Sequence, residues 1–195
     1  SDIDSARVSV HACYYIFAED ARTAPVIEAL GRAAARGVRC RVLIDAFGSS
    51  SLPAQWMERL SKTGIDIRRF NPRPLLRWSF RDHRKLVVCD DRVALVGGFN
   101  VAPEYDGDGI NRGWRDLGVL IDGPLAEELA RGFTILFEAA DLMRKQLRPV
   151  ARLLRNQNVA TNAASVIIGG PGGSRSSLTD FTICRSRVAK GSESS

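Results

Sequence analysis

A histidine and a lysine stand two apart in the run His83-Arg84-Lys85-Leu86-Val87-Val88-Cys89-Asp90. In an extended strand, residues two apart share one side, so both side chains can face a single site. That pairing suits phosphoryl chemistry. A neutral imidazole can attack phosphorus, while a nearby ammonium holds a nonbridging oxygen and offsets the charge that develops in the transition state. Asp90 lies seven residues beyond His83, past the strand, where an ion pair and a turn-fixing role are both open. Downstream, Gly97 and Gly98 remove side chains where backbone could approach a ligand, and Asn100 brings an amide that can donate to a phosphate oxygen. Asp116 precedes a further strand. It could accept a hydrogen bond from the second imidazole nitrogen and fix the tautomer, or it could simply cap the strand end. Taken singly, each feature is weak, because a lone histidine is usually structural and Gly-Gly-Phe-Asn reads as an ordinary turn. Three fixed residue types at fixed spacing arise by chance in such a chain at a level on the order of one per cent, so the joint pattern carries the weight.

The elements that must position these residues are legible from periodicity. Residues 6–18 alternate and then turn continuously apolar, as in a strand entering the interior. Pro25 to Arg36 has helical spacing of Val26, Ile27, Leu30 and Ala34, Gly37 supplies a stop, and Val38 to Ala46 reads as a second buried strand. Strand, helix, strand implies a parallel pair. A second helix is expected from Pro53 to Lys62, with a short strand Ile65 to Phe70 after it. Pro72 and Pro74 then open an irregular basic segment. Lys85 to Val88 and Val93 to Val96 read as a β-hairpin turning at Asp90-Asp91-Arg92, Leu117 to Ile121 as another strand, and Leu125 to about Leu147 as a helix. The stretch from Ala151 to Ala164 reads as a connector, Ala164 to Ile168 as one more strand, and Gly169 to Ser195 as a loose Gly/Ser-rich tail.

At 195 residues, 45% hydrophobic and 26% charged, the chain has the balance of a globular protein with one main core. Its longest apolar runs fall well short of a bilayer span, and no stretch has the layout of a signal peptide. Four cysteines, Cys13, Cys40, Cys89 and Cys184, lack the close paired spacing of a zinc site and are expected to be buried, reduced thiols. The net charge of +6 points to an anionic partner: nucleic acid, a phospholipid surface or a phosphorylated small molecule. Arg68, Arg69, Arg73, Arg77, Arg81, Arg84 and Lys85 crowd one segment that also carries Phe70, Trp78 and Phe80, beside the candidate chemistry. Cations and amphipathic aromatics together suit phosphate headgroups or a nucleic-acid backbone.

The sequence resembles the phospholipase D superfamily, whose signature is His-x-Lys-x4-Asp followed by a Gly-Gly or Gly-Ser turn and Asn. Within it, the resemblance is to bacterial cardiolipin synthases, through Arg36-Gly37-Val38, Ile44-Asp45-Ala46-Phe47-Gly48, Phe70-Asn71-Pro72, Arg81-Asp82-His83-Arg84-Lys85, Trp114-Arg115-Asp116 and Gly123-Pro124. It runs from about Ala6 to Ala139. The resemblance implies an α/β lobe with a mixed, mostly parallel β-sheet flanked by helices, over residues 1–150, with residues 151–195 a connector and the disordered or truncated start of a second lobe. It implies phosphatidyl transfer through a phosphohistidine, with no metal or organic cofactor. His83, Lys85 and Asp90 would be the catalytic signature, His83 as the nucleophile or its acid/base partner and Asp90 in a role left open, while Asn100 with Gly97 and Gly98 would bind phosphate and Asp116 would orient His83. The substrate would be an anionic, phosphatidylglycerol-like phospholipid, taken at the inner face of a bacterial membrane by a cytoplasmic, peripherally bound protein. Members pair two such motifs, in one long chain or across a two-fold axis of identical short chains. This sequence holds one, and His11, without a lysine two residues on, reads as a strand residue. A second His-x-Lys lobe or a homodimer partner is therefore expected. A homodimeric nuclease of the same superfamily and a non-catalytic anion- or lipid-binding module are the competing readings.

Overall fold

The computed structural model describes residues 1–71, 81–142, 158–160, 164–168 and 181–185. After a short N-terminal helix, α1 (Asp2–Ser5), the chain runs β1 (Ser9–Tyr14), α2 (Ala24–Ala35), β2 (Arg39–Asp45), α3 (Ala54–Lys62) and β3 (Asp66–Phe70). Then come β4 (Leu86–Cys89), β5 (Val93–Gly97), a 3-10 turn at Pro103–Tyr105, β6 (Gly118–Asp122) and α4 (Pro124–Leu142). The first six strands form one sheet in the order β3-β2-β1-β4-β5-β6.

The α/β class with a mixed sheet between helices is as expected, but the balance within the sheet is not. β1 with β2 and β2 with β3 are parallel, whereas β1 with β4, β4 with β5 and β5 with β6 are antiparallel, so antiparallel pairings predominate. The reason lies in the connections. Helices α2 and α3 return the chain for parallel addition on one side of β1, whereas a tight turn at residues 90–92 reverses the chain from β4 to β5 and a longer loop over residues 98–117, through the 3-10 turn, reverses it from β5 to β6.

Helix α2 stops as its sequence foretells. Gly37 takes φ of 86°, with its N–H donating to Ala34 O and that of Val38 to Ala33 O, a Schellman closure that only a glycine adopts without strain. Alternation along the strands then sorts side chains into two cores. Val10, Ala12, Val42, Ile44 and Cys89 pack with Leu30, Ala33, Trp56 and Leu60 under α2 and α3. Cys13, Leu43, Leu86, Val88, Ala94 and Val96 pack on the other face against Leu129, Phe133, Leu136, Phe137 and Ala140 of α4. β1, covered on both faces, is buried along its whole length, which explains its continuous apolar character. Cys13, Cys40 and Cys89 are buried free thiols.

Beyond α4, three strands pair antiparallel in the order β7 (Asn158–Ala160), β8 (Ala164–Ile168) and β9 (Phe181–Arg185). β8 falls where a strand was expected. β9 falls in the stretch read as a loose tail, where Phe181, Thr182 and Ile183 supply strong strand formers in a run too short to stand out from its Gly/Ser-rich surroundings. The remainder of that tail, most of the connector, the end of the expected helix after Leu142 and most of the basic segment lie outside the described residues. No helix among the described residues is long and apolar enough to cross a membrane.

Candidate active site

Residues 81–85 run extended into β4 and keep its alternation. Asp82, Arg84 and Leu86 turn toward the α4 core, and His83 and Lys85 to the opposite side. At that side the chain ends of β1 and β2 supply the surroundings. The ring of Tyr15, just past β1, lies 4.6 Å from the His83 ring and 5.6 Å from Lys85 Nζ. Lys85 is almost fully buried, and its ammonium reaches Nδ1 of His83 at 2.9 Å and Nε2 at 3.2 Å and donates to the His83 carbonyl at 2.6 Å. The sequence-predicted pair is therefore a physical pair. Burial, then the charge of Asp45, raises the pKa of the Tyr15 phenol, so it stays a neutral donor beside them.

Beneath this pair lies a polar network. The buried carboxylate of Asp45, at the end of β2, accepts from the Phe47 and Gly48 amides at 2.8 and 3.1 Å, from Arg81 Nη1 at 3.0 Å and from the Asp82 amide at 3.0 Å. Asp82 in turn forms a buried fork with Arg84, at 2.7 Å to Nε and 2.9 Å to Nη2, and accepts from the Cys13 thiol at 3.0 Å. Burial opposes the Asp82 charge, but the Arg84 guanidinium outweighs it and keeps the carboxyl below its usual range. Burial and the adjoining Asp82 charge push the Cys13 thiol well up. Reading the sequence in order missed these roles, because the partners come from distant strands. The only signal was the acidic residue at the end of β2 and the charges alternating with His83 and Lys85.

The other expected site residues take different places. Asp90 stands at the far end of β4, about 20 Å of extended chain from His83. Its carboxylate accepts from the amides of Arg7, Val8 and Ser9, the shortest at 2.7 Å, so of the roles left open for it the structure has the turn-fixing one. Burial opposes its charge, yet these amides hold its pKa below the usual range. Asn100 is buried beside the site, accepting from the Ile16 amide at 2.9 Å and donating to the Tyr105 hydroxyl at 2.8 Å. It ties the end of β1 to the 3-10 turn and borders a cavity of about 270 Å³ lined in part by Tyr14, Arg22, Phe99 and Tyr105.

Gly97 and Gly98 do admit a close approach, but of the chain itself. A side chain at Gly97 would press on Leu117 O, and one at Gly98 would overlap the Asp116 carboxylate. The amides of Gly97 and Gly98 donate to Lys85 O and Leu117 O, each at 3.1 Å, which fastens the turn beside Lys85. Asp116 accepts from the Leu117 amide at 2.8 Å and is not hydrogen-bonded to His83. His11 is buried in β1, stacked on Phe133 at 4.8 Å, away from His83. Among the described residues no cluster of three or more His, Cys, Asp or Glu side chains is placed to hold a metal ion. What the arrangement offers is an imidazole with an ammonium at its nitrogens, set against Tyr15 and braced from behind by Asp82 and Arg84.

Known proteins resemble this chain in sequence or in fold. The family described as "Cardiolipin synthase, PLD-like domain" matches residues 1–136. The chain is 36% identical over 140 residues to the major cardiolipin synthase ClsA of Bacillus subtilis, covering 69% of this chain and 29% of that protein. It is 31% identical over 150 residues to a cardiolipin synthase of Listeria monocytogenes, covering 74% of this chain and 31% of that one. The chain thus spans less than a third of the length of these two relatives. Among solved structures, Nuc of Salmonella typhimurium, a phospholipase D family member, superposes with a TM-score of 0.52 at 22% identity, covering 70% of this chain and 82% of that one. NucT from Helicobacter pylori gives 0.55 at 17% identity, covering 71% and 84%.

Proposed function

Because the chain belongs to the cardiolipin synthase, PLD-like domain family, we propose that residues 1–150 form one lobe of a phosphatidyltransferase and supply half of its phosphodiester-transfer site. Residues 151–195 then connect toward a second lobe. The substrate class is an anionic phospholipid of phosphatidylglycerol type, met at the inner face of a bacterial membrane. The observation that carries this reading is the Lys85 ammonium at the ring nitrogens of His83, both on the Tyr15 side of the chain.

In this reading a neutral His83 nitrogen attacks phosphorus, a P–N bond forms and the P–O bond to the departing alcohol breaks. A proton from the histidine of the second motif goes to that alcohol, and the same group then takes the proton of the incoming alcohol as it displaces His83. Lys85 turns from the imidazole to a nonbridging oxygen, where its charge stabilises the five-coordinate transition state. Asn100 lines the phosphate's surroundings, and Gly97, Gly98 and Asp116 set the turn that closes them.

The test is to co-express the chain with a separate lobe bearing its own His-x-Lys motif and to follow cardiolipin formation from phosphatidylglycerol vesicles. Turnover that disappears with His83→Ala, and a phosphoryl adduct on His83 trapped by rapid quench, are expected. A stable complex without turnover would favour a non-catalytic anion-binding module. A homodimer by light scattering that hydrolyses DNA through His83 would replace the lipid reading with a nuclease.

A further inference from the structure

We propose that Asp82 and Arg84, braced by Asp45 and Cys13, are positioning residues that set the direction of the His83 imidazole. The two residues flank His83 in sequence and meet behind it. Oδ1 of Asp82 accepts from the Arg84 amide at 3.3 Å as well as from its Nε at 2.7 Å, so one carboxylate closes a ring around the His83 peptide units in the manner of an Asx turn. The Asp82 amide is itself held by Asp45, and Lys85 Nζ holds the His83 carbonyl from the other side. With the backbone fixed on both flanks, the Cα–Cβ bond of His83 has one direction, which brings its ring against Tyr15 and Lys85.

Stability alone does not call for this arrangement. Asp82 and Arg84 are 4% and 3% exposed, and two ions withdrawn so far from water are commonly replaced by apolar side chains of similar volume with no loss of stability, or with a gain. An apolar pair would fill the same space under α4. It would not close the ring around His83. The inference takes its catalytic meaning from the proposed phosphodiester chemistry, but its geometric content is independent of turnover.

The experiment is therefore spectroscopic and uses the chain itself. In the double variant Asp82→Leu/Arg84→Met, thermal stability is expected to match or exceed the parent, and the nuclear Overhauser contact between the His11 and Phe133 rings is expected to persist. The contact between the His83 and Tyr15 rings is expected to fall severalfold, with the His83 ring resonances broadened or doubled. Should the double variant not fold, Arg84→Lys keeps the charge without the fork and is expected to weaken the same contact. An undiminished His83 to Tyr15 contact in whichever variant folds would overturn the proposal, whatever substrate the site takes. Loss of turnover with that contact intact would count against it too.

Discussion

The Lys85 ammonium stands at both ring nitrogens of His83, 2.9 Å from Nδ1 and 3.2 Å from Nε2. An ammonium has hydrogens to give and no lone pair, so the contact calls for an imidazole nitrogen that still carries its own. That is the electron pair a nucleophilic histidine needs. In the proposed chemistry a charged phosphodiester oxygen is the stronger acceptor and draws the ammonium away, which frees that pair.

Lys85→Met should therefore lower kcat/KM of the assembled enzyme by about a hundredfold to a thousandfold, the range for removing a charge-stabilising donor. Lys85→Arg should not restore it, because a planar fork cannot reproduce a compact ammonium against the imidazole. Steady-state kinetics on phosphatidylglycerol would check both.

Asp90 should behave as a stability residue. Asp90→Ala removes the acceptor for the Arg7, Val8 and Ser9 amides and leaves φ of 54° without the short polar side chain by which Asp and Asn tolerate it, for an expected loss of about 1–2 kcal/mol in urea unfolding. Asp90→Asn keeps an oxygen and tolerates that backbone, so it should cost well under half as much. The His83 to Tyr15 ring contact should be unchanged in both.

Gly98→Ala should destabilise by about 0.5–1.5 kcal/mol, since the added methyl overlaps the Asp116 carboxylate, which must swing away from the Leu117 amide it accepts from. Asp116→Ala removes the obstacle. A double-mutant cycle by urea unfolding should thus show the Gly98→Ala penalty shrinking in the Asp116→Ala background.

His11 should make the fold acid-sensitive above the carboxylate range. Burial beside Phe133, with the charges of Arg41 and Arg39 adding to it against a partial offset from Asp91, pushes its pKa down to about 4. The unfolded chain, with an ordinary value of about 6.5, binds the proton first. Its contribution is complete above pH 6.5, declines as pH falls from there, and is gone near pH 4, a span on the order of 3 kcal/mol. Asp82 and Asp90, whose pKa values are lowered, lose their contributions only at lower pH. Unfolding curves from about pH 7 to 4 should show this decline in the parent and a much flatter course in His11→Phe.

What the sequence made legible was what is local. Helix α2 ends at Gly37 because a glycine after an apolar period announces a stop, and His83 and Lys85 share a side because strands alternate. Directionality was harder. Nothing in β4 to β6 states whether a strand adds parallel or antiparallel, and the parallel start of the chain biased the expectation. The brace behind His83 was hidden for a different reason. Asp82 meets Asp45 and Cys13 across 37 and 69 residues, distances over which composition carries no register. The purpose of Gly98 could not be read without knowing that Asp116 folds back onto it.

The extended run from Asp82 to Leu86 also carries a parity. Odd positions hold the proposed chemistry and even positions hold the scaffold, so the run is sensitive to counting as well as to identity. A one-residue insertion or deletion inside it would drive the imidazole and ammonium into the apolar layer beneath α4 and turn the ion pair out to the Tyr15 side. Point substitutions there should be graded in effect. A change of length by one should be all-or-none.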